Sequence, residues 1–392
     1  MITHQRPNTQ QATHVDAAII GGGIAGCWLL RLLSNRGYRV VLFEADQLGG
    51  DQTLASQGMI HGGLKYALGG TLTGASESIA SMPGRWRRCL AGQDEVDLRG
   101  VAVLADSYYM FAQRSTLGRL TTFFASKALR GRVNKLNANE WPSAFNGFSG
   151  FVYALNDFVM DVPALLAHLT LGLETKTYRY QITPEQVLAI DDGYEINLPD
   201  LRFSARTLIS CAGNGSNQLL KDLHIPGLKT QRRPLKQVIV RPRHGVTLNA
   251  HCVTGITNNE PRLTITSHGS GEDCVWYIGG LLATTGTART DDEQIEFARK
   301  ELKTCLPWLN WDGADFATLD VDRAEPFQEG GLKPDEAYVG QAGHFLQCFP
   351  TKLTLTPDLG DRVMELMPEP DTRVSSPLSS SSHPVPVGQL RW

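Results

Sequence analysis

Six consecutive residues, Gly21-Gly22-Gly23-Ile24-Ala25-Gly26, stand between two apolar runs and fit the spacing G-x-G-x-x-G. In that spacing the first glycine permits a tight strand-to-helix turn, the second lets backbone approach a pyrophosphate, and the third lets helix and strand pack closely. Free N–H groups at the helix start then offer partial positive charge to phosphates. Glu44 follows Gly26 by 18 residues, at the end of a second apolar run. A carboxylate there accepts hydrogen bonds from ribose hydroxyls and would repel a 2′-phosphate, which disfavours NADP. The chemistry implied is dinucleotide binding.

The elements that must position these residues follow from hydrophobic pattern. Residues 15–20 and 40–43 read as short buried strands, and 24–34 as a helix with Gly37 as its stop. Residues 206–210 read as another central strand running into Cys211-Ala212-Gly213. Asp161 and Pro163 suit the start of a helix over 159–173. Asp291, Asp292 and Glu293 in a first turn, with Pro307 beyond the end, predict a helix over 290–306. Residues 117–129 form a mixed helical stretch with basic residues outward, and 237–240, 262–267 and 274–278 are strand-like runs of an antiparallel sheet.

The expected fold is α/β: a Rossmann-like dinucleotide domain on a parallel sheet, interleaved with an α+β substrate domain on an antiparallel sheet. Residues 15–84, 150–228 and 320–367 are assigned to the first, 85–149 and 229–319 to the second, and the Pro- and Ser-rich 368–392 to a flexible tail.

Composition narrows the partners. With 42% apolar and 20% charged residues the chain can bury a substantial core, and a net charge of −3 gives no reason to expect nucleic acid. The seven cysteines include no C-x-x-C pair, which argues against a zinc site or redox disulfide and for a reducing compartment. No metal is expected. The first apolar run is broken by glycines and an arginine, unlike a signal peptide, and no segment is long and apolar enough to span a bilayer. The expected location is cytoplasmic or peripheral to a membrane.

The run Ala55-Ser56-Gln57-Gly58-Met59-Ile60-His61-Gly62-Gly63-Leu64-Lys65-Tyr66 resembles the second flavin-contacting segment of the D-amino acid oxidase superfamily. It is especially similar to the I-H-G-G-L-R-Y stretch of FAD-dependent glycerol-3-phosphate dehydrogenases. Asp161-Val162-Pro163, the run from Ile209 to Ser216, and Asp322-Arg323-Ala324-Glu325-Pro326 agree in order.

This resemblance implies an FAD-dependent oxidoreductase with noncovalent FAD. It assigns the ADP half to Gly21, Gly23, Ile24, Ala25, Gly26, Glu44 and Ala45, with Ala212 and Gly213 beside them. The flavin half falls to Ser56, Gln57, Gly58, Ile60 and His61, and its pyrimidine end to Thr351, Lys352, Leu353 and Thr354. The family's glycine-rich loop at that last position is replaced here by Phe349-Pro350-Thr351-Lys352-Leu353-Thr354-Leu355-Thr356-Pro357, and the long C-terminal extension of the dehydrogenases is missing.

Four side chains are candidates for catalysis. Arg323 occupies the stretch where relatives pair an arginine with a substrate carboxylate, and its alternative is an ion pair with Asp320, Asp322 or Glu325. His61 either faces flavin or substrate or is a turn residue. His268 is a candidate pocket base, and Tyr277, with Lys236, lies on the sheet expected to face the flavin. The basic stretch Arg232-Arg233-Pro234 with Lys229, Lys236, Arg241 and Arg243 reads as a solvated face.

The implied reaction is oxidation of a small amino acid or amine by hydride transfer to flavin, with oxygen or a quinone as electron acceptor. A 2-hydroxy acid or polyol phosphate is the alternative substrate, and a catalytically silent flavoprotein the alternative class. A flavin-disulfide reductase would need a second dinucleotide fingerprint and a redox cysteine pair, and neither is present.

Overall fold

The computed structural model describes residues 12–63, 74–113, 133–253, 260–331, 334–372, 378 and 384–390. The helical stretch expected at 117–129 lies outside them.

The first sheet contains β1 (Thr13–Ile20), β2 (Val40–Glu44), β9 (Thr177–Arg179), β10 (Val187–Ile190), β11 (Gly193–Asn197), β12 (Arg202–Ser210), β18 (Tyr338–Ala342) and β19 (Phe345–Phe349). Its centre is parallel: β19 lies beside β12, β12 beside β1, β1 beside β2 and β2 beside β9. The hairpin of β10 and β11 and the strand β18 add antiparallel edges. Strands β1 and β2 lack polar alternation because both their faces are covered, the usual condition of a buried parallel sheet.

On one face lie α1 (Ile24–Asn35), α2 (Gly74–Leu90), α3 (Val162–Thr170) and, near the C-terminus, the helix Thr356–Met364. Trp28 of α1 packs on Trp86 of α2 with ring centroids 5.2 Å apart, both rings buried. The opposite face is closed by Phe43, Tyr178 and Phe203. The helix expected over 159–173 begins later, because residues Phe158–Met160 pair as strand β8 and the Asp161 carboxylate then caps α3, accepting from Ala164 N at 2.9 Å.

The second sheet runs β17 (Asp315–Pro326), β13 (Thr230–Arg241), β16 (Val275–Gly279), β15 (Leu263–His268), β14 (Ala250–Cys252), β5 (Tyr108–Gln113), β7 (Gly150–Leu155) and β6 (Val133–Lys135). It is antiparallel except where β14 runs parallel to β5. Behind it packs the helix Asp291–Cys305, whose N-cap Thr290 forms a reciprocal capping box with Glu293. A small third sheet joins β3 (Met59–Ile60), β8 and β4 (Val103–Ala105).

Four expected assignments change. Residues 150–155 and 320–326 belong to the antiparallel sheet, since β7 and β17 pair there. Trp86, Cys89, Leu98 and Val101 join the core of the parallel sheet instead of the substrate unit. The tail is not loose over 384–390: Val385 is buried, and Val387 pairs as an isolated parallel bridge with Leu48. Apolar valines spaced between prolines and a glycine let this short extended piece dock despite its polar flanks.

Candidate active site and cofactor cavity

The end of β1, the start of α1, the loop 46–57 and one face of the antiparallel sheet enclose a cavity of about 530 Å³. That is in the range of small-molecule and cofactor sites. Gly21 turns the chain at φ +107°, and a Cβ there would lie 2.3 Å from the Cys211 carbonyl oxygen. A Cβ on Gly26 would lie 1.9 Å from Gly21 O, so this glycine serves close packing beneath the turn and does not itself line the cavity. Gly21, Gly23, Ile24 and Ala25 do line it.

Glu44 ends β2 and also lines the cavity. One of its oxygens accepts from Gly22 N at 2.6 Å and the other from Asp46 N at 3.0 Å, so the carboxylate braces the glycine turn while keeping lone pairs for a ribose. Ile24 N at the helix start donates to Thr53 Oγ1 at 3.0 Å. Ala45 is exposed and does not line the cavity.

From residue 46 to 57 every residue except Leu48 and Leu54 lines the cavity, most of them missed in the sequence reading. The Gly49-Gly50 pair was the signal available, a turn directly after the ribose carboxylate. Gln57 crosses to the other sheet, its Nε2 donating to Thr264 O at 3.0 Å and to Tyr277 O at 2.9 Å. Gly58 and Ile60 sit behind this wall, Ile60 fully buried in the core.

His61 lines the cavity and is buried. Its backbone N donates to Thr354 Oγ1 at 3.2 Å, the Thr354 hydroxyl donates to His61 O at 3.1 Å, and Gly63 N donates to His61 Nδ1 at 3.2 Å. Trp86 Nε1 donates to Thr354 O at 2.9 Å, so Thr354 is a support for His61 and not a lining residue. Thr351, Lys352 and Leu353 do line the cavity, with Thr351 at φ +58° and Lys352 Nζ donating to Pro334 O at 2.8 Å. Ala212 and Gly213 line it beside Cys211 and Cys348. The Cys211 thiol is pushed well above its ordinary pKa by its hydrogen bond with Cys348 and by burial, so it is a poor nucleophile. All seven cysteines are free and buried.

The antiparallel sheet supplies the opposite wall. Leu235 and Gln237 of β13, Val321 and Arg323 of β17, Thr264 of β15 and Gly279 of β16 face the cavity, a consequence of period-two alternation. Arg323 is half-buried, and its Nε lies 3.5 Å from Arg233 O. The local carboxylates are engaged by β13: Glu325 takes a two-pronged bond from Arg233 at 2.6 and 3.0 Å, Asp322 lies 3.7 Å from Arg232, and Asp320 3.8 Å from Lys236. The basic stretch of β13 is thus matched by the acidic strand β17 instead of facing solvent alone.

Tyr277 and His268 do not line this cavity. Tyr277 is fully buried on the same sheet face, between Ile239 and Val275. His268, at the far end of β15, lines a separate cavity of about 250 Å³ with Ser56, Asp161, Arg241 and Leu390. Burial pushes its pKa down to about 4, against a smaller opposing effect of Asp161. Lys236 points to the other side of the sheet, where Nζ donates to Arg289 O and Asp291 Oδ1, both at 2.9 Å. Alternation along β13, not position in the sequence, removes it from the site.

Glu260 and Thr284 were not anticipated; both line the cavity, and the Thr284 hydroxyl donates to Glu260 Oε2 at 3.0 Å. The donor set fits FAD. Gly21 to Ala25 would hold the pyrophosphate, Glu44 the adenosine ribose, and Ser56, Gln57, His61 and residues 351–353 the ring system.

Residues 16–342 match the family model described as FAD dependent oxidoreductase. The chain is 42% identical over 393 residues to a probable FAD-dependent oxidoreductase of Pseudomonas aeruginosa, PA4991, covering 97% of this chain and 98% of that one. The crystal structure of PA4991 superposes with a TM-score of 0.78 at 35% identity, over 98% of this chain and 99% of that chain. Glycine oxidase from Geobacillus kaustophilus shares the fold at TM-score 0.62 and 18% identity, over 95% and 100% of the two chains. So does L-alpha-glycerophosphate oxidase from Mycoplasma pneumoniae, a structure with FAD bound, at TM-score 0.65 and 16% identity, over 97% and 99%.

Proposed function

Because this chain belongs to the FAD dependent oxidoreductase family and has FAD as its cofactor, we propose that it oxidises a small amino acid or amine carrying a carboxylate or phosphate. What FAD supplies when bound is acceptance of a hydride from the C–H bond beside the nitrogen. The chain's residues orient the substrate and decide which proton must leave.

The observation that carries the amine reading is the placement of the two histidines. Gly63 N donates to His61 Nδ1, so neutral His61 bears its proton on Nε2 and its one ring lone pair is already engaged. His268 lies in the other cavity. A hydroxyl must lose its proton to a base during oxidation, whereas an amine already in its free-base form need not. Arg323 is the cation we assign to the substrate's anionic group, since its planar fork suits a carboxylate or phosphate and its side of β17 faces the cavity. FAD is held without a covalent bond, and oxygen or a quinone takes the electrons.

A second reading, oxidation of a 2-hydroxy acid or polyol phosphate, is favoured by the likeness of Ile60-His61-Gly62-Gly63 to glycerol-3-phosphate dehydrogenases. Anaerobic mixing of the holoenzyme with D- and L-amino acids, N-methyl amines, 2-hydroxy acids and glycerol phosphate separates the two. Loss of the flavin's visible absorbance with an amino acid or amine is expected. Bleaching by hydroxy compounds alone would reverse the order of the readings, and no bleaching by any class would favour a silent flavoprotein.

A further inference from the structure

The loop 46–57 contributes most of one wall of the FAD cavity, yet it contains no helix or long strand of its own. What gives it shape is contact at its two inward side chains, Leu48 and Leu54, both almost fully buried. Residues 384–390 lie against those side chains. Leu48 N donates to Pro386 O at 2.8 Å, and Gly388 N donates to Leu48 O at 3.0 Å, so both backbone groups of Leu48 are held by this C-terminal segment. The next residue, Gly49, donates from N to Gly22 O at 2.9 Å, inside the glycine turn itself. A continuous chain of backbone bonds thus runs from the C-terminal segment through the loop to the pyrophosphate-facing turn.

Side chains reinforce the contact. Val387 and Leu390 pack on the core that holds Leu48 and Leu54, and Val385 is buried beside Thr177 at the edge of the parallel sheet. Leu390 also lines the second cavity with Ser56, which is shared with the first, so the segment reaches the ring end of the loop as well as its start. Gly388 is closely fitted: a Cβ there would lie 2.6 Å from Leu54 Cδ1 and 3.1 Å from Leu48 O.

We propose that residues 384–390 are a cofactor-retaining strap, which holds the loop 46–57 in the shape that accepts FAD and so sets the affinity for FAD more than it sets the stability of the fold. The physical reason is entropic. Without the strap the loop must be ordered at the moment FAD binds, and fixing each residue costs conformational entropy. With the strap that ordering has already taken place, which is preorganisation. Freeing even one or two residues corresponds to a loss of affinity of about tenfold or more.

The test uses three holoenzymes: the full chain, a chain ending at residue 383, and the full chain carrying Gly388→Val. Each is diluted into FAD-free buffer and FAD release is followed by the rise in flavin fluorescence, while apoprotein of each is titrated with FAD. Thermal midpoints are measured with and without saturating FAD, alongside far-ultraviolet circular dichroism. The expected result is a Kd for FAD raised about tenfold or more in both variants, faster release, unchanged secondary structure and a smaller rise in midpoint on adding FAD. A segment that only stabilises the fold would lower the midpoints with and without FAD equally and leave Kd within about twofold, and that result overturns the proposal. If the shortened chain does not fold, Gly388→Val decides by the same criterion.

Discussion

The two walls of the cavity differ in how closely backbone is packed beneath their lining. The wall made by β1, α1 and the loop 46–57 exposes Gly21, Gly23, Gly49 and Gly50, where peptide groups approach directly. The wall made by β13, β15, β16 and β17 exposes Gln237, Thr264, Val321 and Arg323. The turn of the first wall tolerates almost no added atom, because a Cβ at Gly21, or at Gly26 packed beneath it, meets a backbone carbonyl oxygen. The second can exchange side chains and keep its shape, since strand pairing holds the backbone. A backbone wall suits an invariant part of the ligand, such as a pyrophosphate, and a side-chain wall suits the variable part, the substrate.

The sharpest way to break this contrast is Gly26→Val. With the Cβ position 1.9 Å from Gly21 O, the turn must shift, and a destabilisation of about 3 kcal/mol or more is expected together with loss of nearly all bound FAD. The flavin-to-protein ratio of the purified variant and its urea midpoint check this. Retention of normal FAD would mean that the turn is softer than its geometry implies.

Arg323→Ala tests the opposite wall. If the arginine meets the substrate's anion in a desolvated pair, kcat/KM should fall by roughly thirtyfold or more, about 2–5 kcal/mol, while FAD content stays near normal. Arg323→Lys should recover only part, because an ammonium lacks the planar fork. Wild-type efficiency in the Ala variant would remove Arg323 from the substrate site. FAD lost in step with activity would move it to the cofactor.

The smallest effect expected is that of His268, which shares the sheet face of Arg323 but not its cavity. Its folded pKa of about 4 is depressed below the ordinary value of 6.5, so the unfolded chain binds the proton more readily. Its contribution to stability is complete above about pH 6.5 and is lost as pH falls toward 4. Between pH 7 and pH 5 that amounts to about 2 kcal/mol. Urea unfolding of the wild type and of His268→Gln at both pH values checks this: the variant's stability should depend less on pH by that amount. Equal dependence in the two would show that His268 is not the group responsible.

The features legible in the sequence were those whose cause is local. The G-x-G-x-x-G turn and Glu44 could be placed because a glycine's freedom, a helix start and a strand end are properties of a few neighbouring residues, and the cavity gathers Gly21, Gly23, Ile24, Ala25 and Glu44 accordingly. The helix starts signalled by Asp161 and by the acidic turn Asp291-Asp292-Glu293 were read for the same reason, whereas the capping box of Thr290 with Glu293 was not. Segment likeness placed Ser56, Gln57, His61, Ala212, Gly213 and residues 351–353 on the same cavity.

Tertiary structure alone decided which face of a strand each side chain takes and what lies across from it. Lys236 and Gln237 are neighbours in sequence, but one bonds to the helix Asp291–Cys305 behind the sheet and the other lines the cavity. His268 and Thr264 share a strand and a face, yet four residues of rise carry them into different cavities. The docking of residues 384–390 was hidden for a related reason: a Pro- and Ser-rich composition describes the average of a segment, while two valines and a glycine fitted to Leu48 and Leu54 depend on a surface formed more than 300 residues earlier in the chain. Local propensity carries no record of such a partner, because the contact exists only after the parallel sheet has brought the loop 46–57 to its edge.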